Sequence, residues 1–254
     1  ENTLTFLAGL NIDTEIVMGA SEPHVLNLME ALNSAGANIT ESGSHKFKIE
    51  KAKNLSNMDI SITPDMLEAG TLILAGVLTK GTIEVHGAIE DQLDIFYQKL
   101  IESGCNLEIK PNSCKVLAPT QDLKAVNIKT GVFPAFPTDL QAPFAVLMTQ
   151  AQGISRIYET LFEGRFAFLF ELEKMGAQIE MLNPHQAIIV GKTPLKGTLV
   201  ASQDIRAGAS MILAGLSANG TTEISNISYI FRGYDKINQK INSLGGEITL
   251  KDIS

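Results

Sequence analysis

Four arginines stand in a chain that otherwise draws its positive charge from lysine: Arg156, Arg165, Arg206 and Arg232, all in the last hundred or so of 254 residues. A guanidinium is a planar fork matched to carboxylate and phosphate, so arginines rationed in this way point to small anionic ligands. Arg165 lies between Phe162 and Phe166, a pattern that suggests a stacking face for a planar ligand. Arg156 alternates along a strand and reads as solvated. The acidic residues that packing explains least are Asp65, Asp139 and Asp204 at expected helix starts, with Glu68 nearby and Glu22, Glu90 and Asp91 in loops. Taken singly, an aspartate at a helix start is a partner of the helix dipole. Set among arginines and several helix N-termini, it stays ionised, and it can take a proton from a hydroxyl while the cations hold an anionic co-substrate.

These residues need elements to place them. Pro134 and Pro137 stop any helix arriving from the left, and Thr138 with Gln141 has the spacing of a reciprocal capping box, so a helix is expected from Thr138. Leu140, Phe144 and Leu147 would bury one face of it and hold Asp139 in its first turn. The same design recurs along the chain: a glycine turn, a short strand, a loop, then an amphipathic helix closing on glycine. Strands beginning at Asp13, Gly81, Gly153 and Gly220 lead to closing glycines at 36, 104, 176 and 245. A small-residue helix precedes each turn, as in Glu68–Gly76 and Arg206–Gly215, and paired strands follow each closing glycine. The expected fold is therefore α/β, built from βαβαββ units.

The strand expected at Asp59–Ile62 runs into Thr63 and Pro64, a helix start, so residues 1–62 are expected to belong to a different sheet from residues 63–254. Residues 1–12 read as the tail of a helix, and residues 246–254 as one strand lacking its hairpin partner. Open edges of this kind are unusual, which leads us to expect a piece of a longer protein or strands supplied from elsewhere.

A net charge of −8 argues against nucleic acid and anionic membranes as partners. No apolar run reaches the roughly 18 residues that cross a bilayer, and Glu1–Leu4 lacks a leader pattern, so a cytoplasmic location is expected. Cys105 and Cys114 have no metal-ligand spacing and read as buried or idle thiols; His24, His45, His86 and His185 show no ligand pairing. Neither a P-loop, a dinucleotide fingerprint nor a Ser-His-Asp set is present, leaving group transfer without cofactor or metal.

Four motifs carry a resemblance to a known family: Phe136-Pro137-Thr138-Asp139 with Gln141, Glu159 through Phe166, Asp204-Ile205-Arg206-Ala207 with Ser210, and Arg232-Gly233-Tyr234-Asp235. Along its whole length the chain resembles the UDP-N-acetylglucosamine 1-carboxyvinyltransferases, and less closely the sibling 3-phosphoshikimate 1-carboxyvinyltransferases. The resemblance implies an inside-out α/β barrel of two domains, with residues 1–62 the last, incomplete repeat of the UDP-sugar side and residues 63–254 a catalytic domain of about three repeats. It implies transfer of the enolpyruvyl group of phosphoenolpyruvate to the 3-hydroxyl of UDP-N-acetylglucosamine, the first committed step of peptidoglycan synthesis. Asp139 would deprotonate the hydroxyl and Arg232 grip phosphoenolpyruvate. Leu161, Phe162 and Arg165 would line the sugar-nucleotide pocket, Asp65, Asp204 and Arg206 support the reacting centre, and Glu22 match a Glu-Pro of the family. The family's general acid and UDP-binding cations would precede Glu1, making a missing N-terminal segment a partner. The alternatives are a non-catalytic remnant that binds UDP-sugar or protein, and a transferase with another acceptor such as shikimate 3-phosphate. Gly164 stands where the family usually has asparagine, and Gly208 where serine is common.

Overall fold

A repeat of about seventy residues needs a stop in each copy, and the backbone supplies one. Gly36, Gly104, Gly176 and Gly245 adopt φ of +104°, +91°, +99° and +93°, in the left-handed region where a Cβ collides with the following carbonyl. Each ends a helix by the left-handed turn that frees the chain to reverse.

The computed structural model describes residues 1–52 and 54–251, and the chain divides into two compact units, Glu1–Pro64 and Asp65–Ser254. In the first, α1 (Asn2–Ala8), β1 (Thr14–Val17), α2 (Pro23–Ser34), β2 (Asn38–Gly43) and β3 (Lys46–Glu50) follow one another. The strands form an antiparallel sheet in the order β1-β3-β2. Its alternation sends Ile39, Phe47 and Ile49 to one face, where they pack with Leu4, Val25 and Leu32.

The second unit runs α3 (Met66–Leu78), β4 (Ile83–His86), α4 (Asp94–Glu102), β5 (Leu107–Lys110), β6 (Ser113–Val116), β7 (Ile128–Lys129), α5 (Gln141–Thr149) and β8 (Gly153–Tyr158). It continues with α6 (Ala167–Lys174), β9 (Gln178–Asn183), β10 (Gln186–Gly191), β11 (Leu199–Ala201), α7 (Ile205–Ser217), β12 (Glu223–Ser225) and α8 (Ile237–Ser243). The stretch from β7 to β10 is one full βαβαββ unit, as expected. Its sheet has the order β7-β8-β10-β9, beside β4-β6-β5 and the pair β11-β12. β7 lies parallel to β8 and β11 to β12, so the helix between each pair is an obligatory crossover.

Those crossover helices, α5 and α7, pack against each other and against α3. Every residue of α5 is buried, and so is most of α3 and α7; helices apolar on all sides belong at a centre. β8, by contrast, keeps Ile154 and Arg156 exposed while burying Ser155 and Ile157, so sheets form the outside. Glycine allows close packing against α7: a Cβ on Gly208 would lie 2.3 Å from Ser202 Oγ, ahead of that helix, and 2.4 Å from Ile230 Cγ1 in the turn that follows β12.

Three expected elements differ. Residues 59–62 form no strand, because side chains of α2 bind the segment before any strand can: Asn27 Nδ2 donates to Ser61 O, Thr63 N to Asn27 Oδ1, and Asp59 N to Ser34 Oγ. Residues 246–251 form no strand either; Asn242 holds both the N–H and the carbonyl of Ile248, and residues 252–254 lie outside the described residues. The helix after Pro64 is capped by Asp65, whose Oδ1 accepts from Leu67 N and Glu68 N, so helical structure starts at Met66, two residues beyond the proline.

Candidate active site

Asp139 sits in a single 3-10 turn, Thr138–Leu140, that leads into α5. The expected capping box does not form. Thr138 Oγ1 donates instead to Glu159 Oε2 at 2.7 Å, and the buried Gln141 has an Nε2 without a partner among the described residues. The hydroxyl turns toward the carboxylate as a donor rather than toward the helix amides as an acceptor, and the turn is fixed from outside the helix. Leu140, Phe144 and Leu147 are fully buried, as the spacing predicts.

The carboxylate of Asp139 bridges two guanidiniums. Arg165 Nη1 donates to Oδ1 at 2.7 Å and Arg206 Nε donates to Oδ2 at 3.1 Å. Burial pushes the Asp139 carboxyl up, but Arg206 and then Arg165 outweigh it and hold the group below the usual carboxylate value. Asp139 is therefore ionised at neutral pH. Since its folded pKa lies below the unfolded one, near 3.9, its ion pairs stabilise the fold above about pH 4 and are lost as pH falls through the folded value. The difference in urea-unfolding stability between wild type and Asp139→Asn accordingly shrinks between about pH 6 and about pH 3. A difference that stays constant over that range would show that the ion pairs contribute nothing.

Each arginine is backed by a ring. Arg165 Cζ lies 4.5 Å from the Phe162 centroid, and Arg206 Cζ lies 5.3 Å from that of Tyr234. Phe166, expected to share with Phe162 a stacking face for a planar ligand, is 2% exposed and belongs to the apolar core. A residue at the entrance to α6 turns inward with that helix, so only Phe162, 48% exposed, presents a face to ligand. Tyr234 is fully buried, and its hydroxyl is 3.0 Å from Thr71 Oγ1 of α3. A chain of contacts thus runs from α3 through Tyr234 and Arg206 to Asp139. Arg206 Nη1 is buried and has no hydrogen-bond partner among the described residues, which leaves a donor for an anion.

The other expected residues divide. Asp204 Oδ1 caps α7, accepting from Arg206 N and Ala207 N at 2.8 Å each, and so sets the position from which Arg206 departs. Asp65 spends its carboxylate on the cap of α3. Arg232 is exposed, two residues before Tyr234, and makes no ion pair among the described residues. Leu161 is 38% exposed beside Phe162. Glu22 lies in the first unit, at the start of α2 ahead of Pro23, with a buried Oε2 that has no partner among the described residues. Cys105 and Cys114 are driven up to about 11 by burial, which keeps both thiols protonated. Among the described residues no cluster of His, Cys, Asp and Glu could hold a metal, and no helix is long and apolar enough to cross a membrane.

Sequence reasoning placed Glu159 in a motif without giving it a role, and missed the Thr71–Tyr234 pair. Glu159 is fully buried at the end of β8. Its Oε1 accepts from Thr130 Oγ1 (3.0 Å), Leu161 N (2.9 Å) and Phe162 N (3.3 Å), while Oε2 takes Thr138. One carboxylate thereby joins the end of β7, the turn of Asp139 and the loop of Phe162 and Arg165. A buried charge is tolerable only when donors surround it, and here four do. In the same loop Gly164 has φ +75°, a conformation glycine and asparagine both tolerate, so the asparagine that the resemblance leads one to expect there would keep the same turn.

Comparison with known proteins agrees with this architecture. The 1-carboxyvinyltransferase named UDP-N-acetylglucosamine 1-carboxyvinyltransferase in Desulfosudis oleivorans is 40% identical over 248 residues, 98% of this chain and 59% of its own. A second, from Prochlorococcus marinus, is 39% identical over 248 residues, covering 97% and 58%. The chain thus spans about three-fifths of the length of these curated relatives. Among solved structures, the enolpyruvyl transferase NikO from Streptomyces tendae superposes with a TM-score of 0.87 at 25% identity, over 96% of this chain and 58% of that one. EPSP synthase from Acinetobacter baumannii shares the fold, with a TM-score of 0.69 at 16% identity. The profile of the EPSP synthase (3-phosphoshikimate 1-carboxyvinyltransferase) family matches residues 3–241, and the chain belongs to that family.

Proposed function

We propose that this chain carries the hydroxyl-activating part of a carboxyvinyltransferase that moves the enolpyruvyl group of phosphoenolpyruvate onto the 3-hydroxyl of UDP-N-acetylglucosamine. The observation that supports it best is the ionised Asp139 held between Arg165 and Arg206. In the proposed reaction the hydroxyl oxygen bonds to the vinyl carbon, the bond from that carbon to the phosphate oxygen breaks, and phosphate and the hydroxyl proton leave.

Asp139 is a poor base while two guanidiniums neutralise it. An anionic substrate that draws Arg206, through its free Nη1, or the unpaired Arg232 toward its phosphate weakens that neutralisation and raises the affinity of Asp139 for a proton. Binding of the co-substrate would then switch on the base. Phe162 and Leu161 offer the acceptor an apolar edge, and Asp65 and Asp204 keep the helix starts in place. Because the relatives are longer, we assign activity to a complete protein in which a preceding segment supplies the general acid, working in the cytoplasm on peptidoglycan precursors. On this reading residues 1–62 complete the sugar-nucleotide side, with Glu22 there, and residues 63–254 form the catalytic side.

Acceptor identity is tested by phosphate release from phosphoenolpyruvate with the complete protein. UDP-N-acetylglucosamine is expected to support turnover at least a hundredfold better than shikimate 3-phosphate, since a site built for one hydrogen-bonding pattern rejects another strongly. Equal rates, or a preference for shikimate 3-phosphate, would overturn the assignment.

A further inference from the structure

Two joints between successive repeats follow one plan, and in one of them a lysine stands where the other has its carboxylate. In the joint between α6 and β11, Glu171 is 4% exposed. Its Oε2 accepts the N–H of Ala201 at 3.1 Å, and Lys174 Nζ donates to both of its oxygens at 2.8 and 2.9 Å. The joint between α4 and β7 has the matching positions. Counted back from the closing glycines, Lys99 stands to Gly104 as Glu171 does to Gly176, and Glu102 corresponds to Lys174. Lys99 Nζ donates to Glu102 Oε2 at 2.7 Å, so the pair is kept with its charges exchanged.

The strands correspond as well. Lys129 pairs with Tyr158 and Ala201 with Ser225, and the next residue in each case, Thr130 or Ser202, donates its N–H to that partner's carbonyl at 2.9 or 3.0 Å. Alternation in a parallel ladder therefore turns the N–H of Lys129, like that of Ala201, away from the neighbouring strand. For Ala201 it meets Glu171. β7 is the edge of its sheet, and the N–H of Lys129 meets no acceptor among the described residues. In front of it lies a cleft of about 480 Å³ whose walls include Ile95, Lys99, Ile128, Lys129, Phe136 and Tyr158. That volume is within the range of small-molecule sites, and its lining joins the apolar Ile95, Ile128 and Phe136 to Tyr158, the two lysines and Asn127, whose Oδ1 already accepts from Arg156 N.

We propose that this cleft binds a small organic carboxylate carried on an apolar ring or short chain. Its carboxylate takes the place that Glu171 fills in the next repeat, accepting from the N–H of Lys129 and facing Lys99, while its apolar part rests on Phe136 and Tyr158. The assignment is independent of the chemistry at Asp139, although Phe136 and Tyr158 directly precede Pro137 and Glu159 in the chain.

Benzoate is the probe, with benzamide as its uncharged counterpart, read by two-dimensional amide NMR of the protein. Benzoate is expected to shift the Lys129 amide saturably at millimolar concentration and benzamide to leave it in place. Lys99→Glu, which copies the charge of the next repeat, weakens benzoate binding at least tenfold; Lys99→Gln weakens it severalfold and serves in its stead should the glutamate variant not fold. The proposal is overturned by an unsaturated or absent Lys129 shift, by equal shifts with benzamide, by wild-type affinity in the Lys99 variants, or by shifts confined to the surroundings of Arg206.

Discussion

Asp139→Asn in the complete protein is expected to lower kcat by about two to four orders of magnitude, the scale of losing a positioned general base. Asparagine keeps the shape of the side chain but can neither hold a proton nor neutralise Arg165 and Arg206. The variant has a second expected signature: relieved of their carboxylate, the two guanidiniums bind inorganic phosphate at least as tightly as in the wild type, measured by calorimetry. Loss of activity with retained phosphate binding separates a missing base from a collapsed site. Turnover within about tenfold of wild type would remove Asp139 from the base role.

Glu159→Ala is expected to cost about 3 to 5 kcal/mol of stability, because the amides of Leu161 and Phe162 lose their acceptor at about 1–3 kcal/mol each and two hydroxyls lose theirs. Glu159→Gln retains an oxygen for three of the four donors and is expected to cost only about 1 to 2 kcal/mol. Chemical denaturation of the two variants measures both. The order matters more than the size: equal losses would mean that the carboxylate fills space, whereas a graded loss shows that it acts as an acceptor. An alanine variant as stable as wild type would show that the loop of Arg165 is held by other means.

Much of this was legible in the sequence because its causes are local. The closing glycines stop helices by their own backbone freedom, and the alternation of strands such as β8 and β10 follows from side-chain period, so the repeated unit could be read directly. The arginines stood out because their type is rare in this chain, and Asp139 because of its place at an expected helix start. What failed depended on distant partners. The capping box at Thr138 was locally sound, but Glu159, twenty-one residues along, claimed the hydroxyl. Phe166 looked like a ligand residue until α6 carried it inward, and residues 59–62 had the pattern of a strand with no strand to pair with. Tyr234 stood in a recognised motif but without a role, because that role comes from Thr71, far away in the chain, and from Arg206 above its ring.

The four left-handed glycines have a consequence for how this chain can diverge. Around Gly245 nothing lies within 4 Å of where a Cβ would sit, and around Gly176 the nearest atom is a carbonyl oxygen at 3.8 Å. Room for a larger residue exists, yet the backbone angle itself charges most other residues about 1 to 2 kcal/mol. Selection therefore holds these positions even where no neighbour would object. Surface and loop positions carry no such backbone demand, so the seventy-residue spacing of these glycines is expected to outlast the side chains around it.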